Sequence, residues 1–340
     1  MRYPKFLPEG GKIGFIAPSF GCATEPYISR FDEAICHFRK LGYRTVLGPN
    51  SRACEGIGKS NTPEKCADEI NDFFCHERSD VIISCGGGEL MCEDVPFVDF
   101  SKISAAEPKW FIGYSDNTNL TFLLPTLCDT AAIYGPNAGD FGMKPWHPSI
   151  EDAFSFLKGE KLEFSNYDGW EKGWPDREAE PTAPYYITED YKQVIYEASS
   201  ACFEGRMIGG CMDVLSVLCG TKYDKVRDFL EKYREDGFIW HLEACDLGPM
   251  GIRRALWQFK EAGWFKYVKG FVIGRPLHYE DDFDGFTCHD AVTGILKDFG
   301  VPIVMDVDLG HLSPMIPFIS GAIGRVEATG NRFDIRYTLK

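Results

Sequence analysis

With 340 residues, of which 44% are hydrophobic and 14% aromatic, the chain can bury a substantial core in one large or two ordinary domains. Its 51 acidic and 36 basic residues give a formal charge of −15 without a polybasic block, which argues against a nucleic-acid partner. No apolar signal core follows Met1 and no stretch approaches about 18 uninterrupted apolar residues, so the expectation is a soluble cytoplasmic protein with no membrane partner.

Lys12-Ile13-Gly14-Phe15-Ile16-Ala17-Pro18 reads as a strand stopped by proline, and Phe31, Ala34, Ile35 and Phe38 then recur at helical spacing. Arg44-Thr45-Val46-Leu47 is a second strand. Thr62-Pro63 starts a helix with proline at its first position and Ile70, Phe73 and Phe74 on its apolar side. Asp80 to Ser84 makes a third strand running into Gly86-Gly87-Gly88, and Trp110-Phe111-Ile112 a fourth, running into Gly113-Tyr114-Ser115-Asp116. Such alternation predicts an α/β class, with an N-terminal parallel sheet of Rossmann or flavodoxin type and ligands at the carboxyl ends of its strands. The glycine run and Ser115 both fall at such ends.

From about Leu162 to Ser200 the periodicity stops. Asn166-Tyr167-Asp168-Gly169-Trp170, Trp174-Pro175 and Pro184-Tyr185-Tyr186 mix prolines, charges and aromatics in a long excursion. It reads either as a substrate-facing loop or as aromatic packing between domains. Beyond it, Gly205-Arg206-Met207-Ile208-Gly209-Gly210 leads into a helix-like Met212 to Leu218. Phe238-Ile239-Trp240-His241-Leu242 is a strand ending in Glu243. A helix through Ile252, Leu256 and Phe259, a strand at Gly270 to Gly274, a helix from Ala291 to Phe299 and a strand at Pro302 to Met305 restore the alternation, and Gly321 to Tyr337 forms a hairpin turning at Ala328-Thr329-Gly330-Asn331. The expected organisation is an N-terminal domain over 1–161, an aromatic-rich linker over 162–204 and a C-terminal α/β domain over 205–340.

Ser115 follows a strand in a sharp turn, the layout of a nucleophile elbow. Gly113 is read as the residue that permits the strained backbone, and Asp116-Asn117-Thr118 as caps for the next helix. The usual second glycine of the hydrolase elbow is Asn117 here, and an ordinary strand-to-helix turn has the same pattern. Glu243, at a strand end, is either a helix cap, an ion-pair partner or a catalytic acid; His311, after Asp306-Val307-Asp308-Leu309-Gly310, is either a turn histidine or a base. A serine hydroxyl is a poor nucleophile until an imidazole takes its proton and a carboxylate holds that imidazole, so the three make chemical sense together. The thirteen cysteines lack any Cys-x-x-Cys spacing and suit a reducing compartment. The Cys36-His37, Cys75-His76 and Cys288-His289 neighbours do not have metal-ligand spacing, so neither metal nor cofactor is expected.

Gly113-Tyr114-Ser115-Asp116, Gly205-Arg206-Met207-Ile208-Gly209-Gly210, Leu242-Glu243 and Gly310-His311 occur in an order that resembles the LD-carboxypeptidase family of serine peptidases. That family includes muropeptide LD-carboxypeptidases and the microcin C self-immunity proteins. The likeness runs from Ile13 to Ala322. It implies Ser115 as nucleophile, Glu243 as acid, His311 as base, an active site in a cleft between two domains, and a homodimer. It also implies that backbone N–H groups of Gly87 and Asp116 form the oxyanion hole, with Gly86 and Gly88 beside the substrate. Departures from the family pattern are Gly86-Gly87-Gly88-Glu89, where Gly-Gly-Tyr-Gly is usual, and Cys211, where asparagine is usual. The aromatic excursion around Trp170 and Trp174 looks like the microcin-immunity branch, where an aromatic ring stacks on adenine. The implied substrate is therefore a small peptide or a peptidyl or aminoacyl nucleotide. The competing expectations are a murein tetrapeptide releasing D-alanine, and a non-catalytic nucleotide-binding protein suggested by the glycine run.

Overall fold

A computed structural model describes residues 1–55 and 58–340, which form two compact units. Unit 1 comprises residues 1–161 and 174–185, and unit 2 residues 162–173 and 186–340, so the aromatic excursion is shared between them.

Unit 1 contains β1 (Lys12–Ile16), α1 (Tyr27–Lys40), β2 (Arg44–Leu47), α2 (Pro63–Cys75), β3 (Val81–Ser84), α3 (Phe100–Ala105), β4 (Trp110–Gly113), α4 (Thr118–Cys128), β5 (Ala132–Tyr134) and α5 (Pro148–Leu157). Its five strands are all parallel and run β2-β1-β3-β4-β5 across the sheet. This is the flavodoxin-like order, whose direction reverses between β1 and β3 and leaves a crevice at their carboxyl ends. Buried on both faces, β3 and β4 are continuous apolar runs rather than alternating ones. Phe31, Ala34, Ile35 and Phe38 form the buried stripe of α1, and Ile70, Phe73 and Phe74 that of α2. Glu69 on α2 accepts the Ala17 and Asn50 backbone N–H groups at 2.8 and 2.9 Å, tying together the segments that follow β1 and β2. Burial pushes its carboxyl up to about 7.

Unit 2 contains β6 (Glu163–Ser165), β7 (Gly169–Trp170), β8 (Glu189–Asp190), β9 (Val194–Ile195), β10 (Ser200–Cys211), α6 (Met212–Leu218), α7 (Val226–Lys232), β11 (Phe238–Glu243), α8 (Pro249–Glu261), β12 (Val268–Gly274), β13 (Asp282–Phe283), β14 (Phe286–Thr287), α9 (Cys288–Leu296), β15 (Ile303–Val307), β16 (Phe318–Ser320), β17 (Ile323–Thr329) and β18 (Arg332–Thr338). Its main sheet runs β6-β18-β17-β10-β11-β12-β15-β9. The four central strands β10, β11, β12 and β15 are parallel, and antiparallel strands extend both sides. Trp240 on β11 stacks on Trp264 at 5.7 Å, and Trp264 on Phe259 of α8 at 4.8 Å, joining sheet to helix. The terminal hairpin turns at Gly330-Asn331, as its sequence pattern indicates. The glycine-rich 205–210 segment lies inside the long strand β10, where Gly209 and Gly210 adopt φ of 152° and 140°. Among the described residues no helix is long and apolar enough to cross a membrane.

Candidate active site

In unit 1, the turn after β4 places Ser115 itself at φ 66°, a left-handed conformation costly for a residue with a Cβ. Strain at this position matches an elbow that presents its side chain outward. The strain falls on Ser115 and not, as the Gly-x-Ser pattern suggests, on Gly113. Gly113 lies outside the left-handed region and is needed for space, because a Cβ there would lie 2.9 Å from Asn117 Cγ and 3.0 Å from Ser84 Cβ. A second correction concerns the expected caps. Asn117 is the N-cap of α4 by position only, with no side-chain cap bond; its Nδ2 instead donates to the Gly86 and Tyr114 carbonyls at 2.9 and 3.0 Å. The Asp116 carboxylate accepts from Ser19 Oγ at 2.5 Å and from the Met91 N–H at 2.9 Å. These two side chains clamp the segments after β1 and β3 onto the nucleophile turn.

Gly87 lies against the serine. A Cβ built there would sit 3.1 Å from Ser115 Oγ. Gly86 supplies the carbonyl held by Asn117, and Gly88, at φ 151°, packs against the Ser19 hydroxyl. Tyr134 had no signal in the sequence beyond ending β5, yet its hydroxyl accepts the Ser115 N–H at 3.1 Å, fixing the turn from the neighbouring strand.

In unit 2, Glu243 ends β11, and His311 follows β15 on the segment that runs through Asp308. His311 Nδ1 and Glu243 Oε2 are 2.8 Å apart, and both side chains are almost completely buried. Gly310, at φ 103°, makes this approach possible, because a Cβ there would lie 2.5 Å from Glu243 Oε2. Burial opposes the imidazolium, but the Glu243 charge, the Cys245 thiol and the hydrogen bond to Glu243 outweigh it, raising the His311 pKa above its ordinary value. His241, two residues before Glu243 on β11, contrasts with it: burial pushes it down to about 3, which keeps it neutral.

The His311 segment is anchored by Arg275, which carries no signal in the sequence, together with Asp308, Tyr167 and Trp170. Arg275, just beyond β12, donates to the Asp306 carbonyl at 2.6 Å and forms a buried ion pair with Asp308. Asp308 also accepts the Tyr167 N–H at 2.8 Å. Trp170 is buried with the Arg275 guanidinium over its ring at 5.0 Å and Tyr279 edge-on at 5.4 Å. Trp174, by contrast, is 64% exposed. Burial pushes the Cys85 and Cys211 thiols up, the wrong direction for a thiolate nucleophile. Among the described residues no group of three or more His, Cys, Asp or Glu is arranged to hold a metal ion.

Residues 13–135 match the LD-carboxypeptidase N-terminal domain and residues 204–326 the LD-carboxypeptidase C-terminal domain. The chain belongs to the LD-carboxypeptidase family. It is accordingly a hydrolase of serine-peptidase type. Its relatives include the microcin C7 self-immunity protein MccF of Escherichia coli, 25% identical over 91% of this chain and 88% of that protein. A Vibrio cholerae protein named for carboxypeptidase activity is 24% identical over 98% of both chains. The fold is that of a solved single-residue mutant of MccF in complex with adenosine monophosphate, with a TM-score of 0.82 at 21% identity over 100% of this chain and 99% of that one. An MccF-like protein from Bacillus anthracis superposes with a TM-score of 0.83, also at 21% identity, over 99% of this chain and 100% of its own.

Proposed function

We propose that this LD-carboxypeptidase family member hydrolyses the amide bond of a peptidyl or aminoacyl nucleotide through an acyl-enzyme formed on Ser115. The observation that carries the catalytic part is the buried 2.8 Å pairing of His311 Nδ1 with Glu243. It fixes the tautomer and leaves Nε2 as the nitrogen able to accept a proton. In the reaction Ser115 Oγ attacks the carbonyl carbon as His311 Nε2 takes its proton, and Glu243 stabilises the resulting imidazolium. The N–H groups of Gly87 and Asp116 receive the developing oxyanion, each worth about 3–4 kcal/mol in systems of this type. His311 then protonates the leaving amine, and water releases the acyl group by the same steps in reverse.

The substrate class rests on different support. Solved MccF structures hold adenosine monophosphate, aspartyl sulfamoyl adenosine and glutamyl sulfamoyl guanosine, so this fold accommodates aminoacyl nucleotides in a relative. In this chain Trp174 is 64% exposed, and the Arg275 guanidinium lies over the ring of the buried Trp170. Stacking on a purine is worth about 1–3 kcal/mol per base, a preference that a murein peptide cannot elicit. The test compares kcat/KM for an aminoacyl sulfamoyl adenosine with that for a murein tetrapeptide, in wild type and in Trp174→Ala. The nucleotide should be preferred, with the preference reduced in the variant. Release of D-alanine from the tetrapeptide without detectable nucleotide cleavage would move the enzyme to muropeptide trimming.

A further inference from the structure

Strand β15 carries an extra residue relative to its neighbour β12. Val272 pairs with Val304 and Gly274 with Val307, so β15 advances three residues where β12 advances two. Inside this bulge Asp306 is buried and adopts φ 62°. Aspartate is among the few residues with a Cβ that enter the left-handed region, and strain there persists only where surrounding contacts hold it. Those contacts come from outside the strand. His289 Nε2, in the first turn of α9, lies 3.0 and 2.9 Å from the two oxygens of the Asp306 carboxylate, and Tyr279, between β12 and β13, donates its hydroxyl to Oδ2 at 3.4 Å. Arg275 donates to the Asp306 carbonyl at 2.6 Å. The start of α9 is itself fixed by the capping box of Thr287 and Asp290.

We propose that Asp306 is a positioning residue for the base: its carboxylate, held by His289, locks the bulge that re-aims β15 and so delivers His311, five residues further on, against Glu243. The proposal rests on His311 being the base of the proposed reaction. A bulge bends its strand and redirects the side chains beyond it, and bulges are over-represented beside active sites. Without the extra residue the chain after β15 would shift its register by one position, and the 2.8 Å approach of His311 Nδ1 to Glu243 Oε2 would not be made. The titratable groups facing His289 are Asp306 from β15, Tyr279 from the loop after β12 and Asp290 from its own helix. The hydrogen bond to Asp306 raises the His289 pKa above its ordinary value, favouring the charged ring that holds a carboxylate most firmly.

The decisive measurement is the titration of His311 by NMR of the histidine-labelled protein, with its resonance assigned by its loss in His311→Gln. Its midpoint reports the Glu243 contact, since burial opposes the imidazolium and Glu243 outweighs it. His289→Ala, at a half-buried side chain, should lower the midpoint by about half a pH unit or more, and His289→Gln, which keeps a donor, should restore most of it. Asp306→Gly relieves the backbone but loses the carboxylate and should lower the midpoint likewise. Asp306→Asn tolerates the left-handed conformation and keeps an acceptor, so it should stay near the wild-type value. A wild-type midpoint in folded His289→Ala or Asp306→Gly would overturn the proposal, as would equal falls in Asp306→Gly and Asp306→Asn, which would assign the effect to the lost charge alone. If His289→Ala does not fold, Asp306→Gly decides, because glycine is the residue best suited to φ 62°. The titration needs no substrate. Failure of the catalytic reading, seen as undiminished turnover in Ser115→Ala, is therefore distinguishable from failure of this one.

Discussion

Replacing each glycine of the Gly86-Gly87-Gly88 turn by alanine should produce three different outcomes. At Gly87 the new methyl would lie 3.0 Å from Ser115 Cβ and 3.1 Å from its Oγ, tighter than ordinary contact at 3.4 Å or more, so the serine must retreat by a few tenths of an ångström. A misplacement of about 1 Å at reacting atoms costs on the order of a hundredfold, so a loss of about tenfold in kcat/KM, about 1.4 kcal/mol, is expected. Gly87 is not in the left-handed region, and its carbonyl keeps the 2.8 Å bond from the Phe20 N–H, so the thermal midpoint should hardly move. At Gly86 the nearest atoms belong to Phe20 at 3.4–3.5 Å, and alanine should be tolerated. At Gly88, φ is 151° and the methyl would overlap the Ser19 hydroxyl that binds Asp116, so stability should fall by about 1–3 kcal/mol. Steady-state kinetics on an aminoacyl sulfamoyl adenosine and thermal unfolding read both quantities. Wild-type kcat/KM in Gly87→Ala would remove Gly87 from the reacting atoms and with it the proposed oxyanion hole.

Two further outcomes follow from the acid–base half. Because Glu243 raises the His311 pKa and catalysis needs the neutral ring, kcat/KM should rise with pH through an inflection above about 6.5, and Glu243→Gln should lower that inflection. For stability, a folded-state pKa raised above the unfolded one contributes fully below about pH 6.5 and is lost as pH rises through the folded value, so the unfolding penalty of Glu243→Gln should be larger near pH 6 than at alkaline pH. Trp170→Ala should cost about 3 kcal/mol in denaturant unfolding, since it uncovers the buried Arg275 and Asp308 pair, whereas Trp174→Ala should change stability by less than about 0.5 kcal/mol. Equal unfolding midpoints for the two tryptophan variants would contradict the packing role given to Trp170.

The α/β alternation and the placement of Ser115, Glu243 and His311 after strands were legible because each lies beside a continuous apolar run. The strand over 205–210 was less so, since Gly205 and Gly209 carry no β-propensity and are selected by the close packing of β10 on β11, where a Cβ at Gly209 would overlap the His241 backbone. Asp116 and Asn117 depart from the capping role that their spacing suggests for a related reason. Local spacing suggests caps, but the donors and acceptors they meet, at Ser19, Gly86 and Met91, are distant in sequence. The Arg275 and Asp308 pair and Tyr134 left no local signature at all, because their partners come from other strands or turns, 33 and 19 residues away.

The central claim is that Ser115 is activated by His311 and Glu243, and covalent labelling with a fluorophosphonate followed by peptide mass mapping tests it most directly. A single adduct on Ser115 is expected, forming at a rate that falls by about a thousandfold or more in His311→Ala. An active enzyme that stays unlabelled at Ser115, or that is labelled there equally fast without His311, would contradict it.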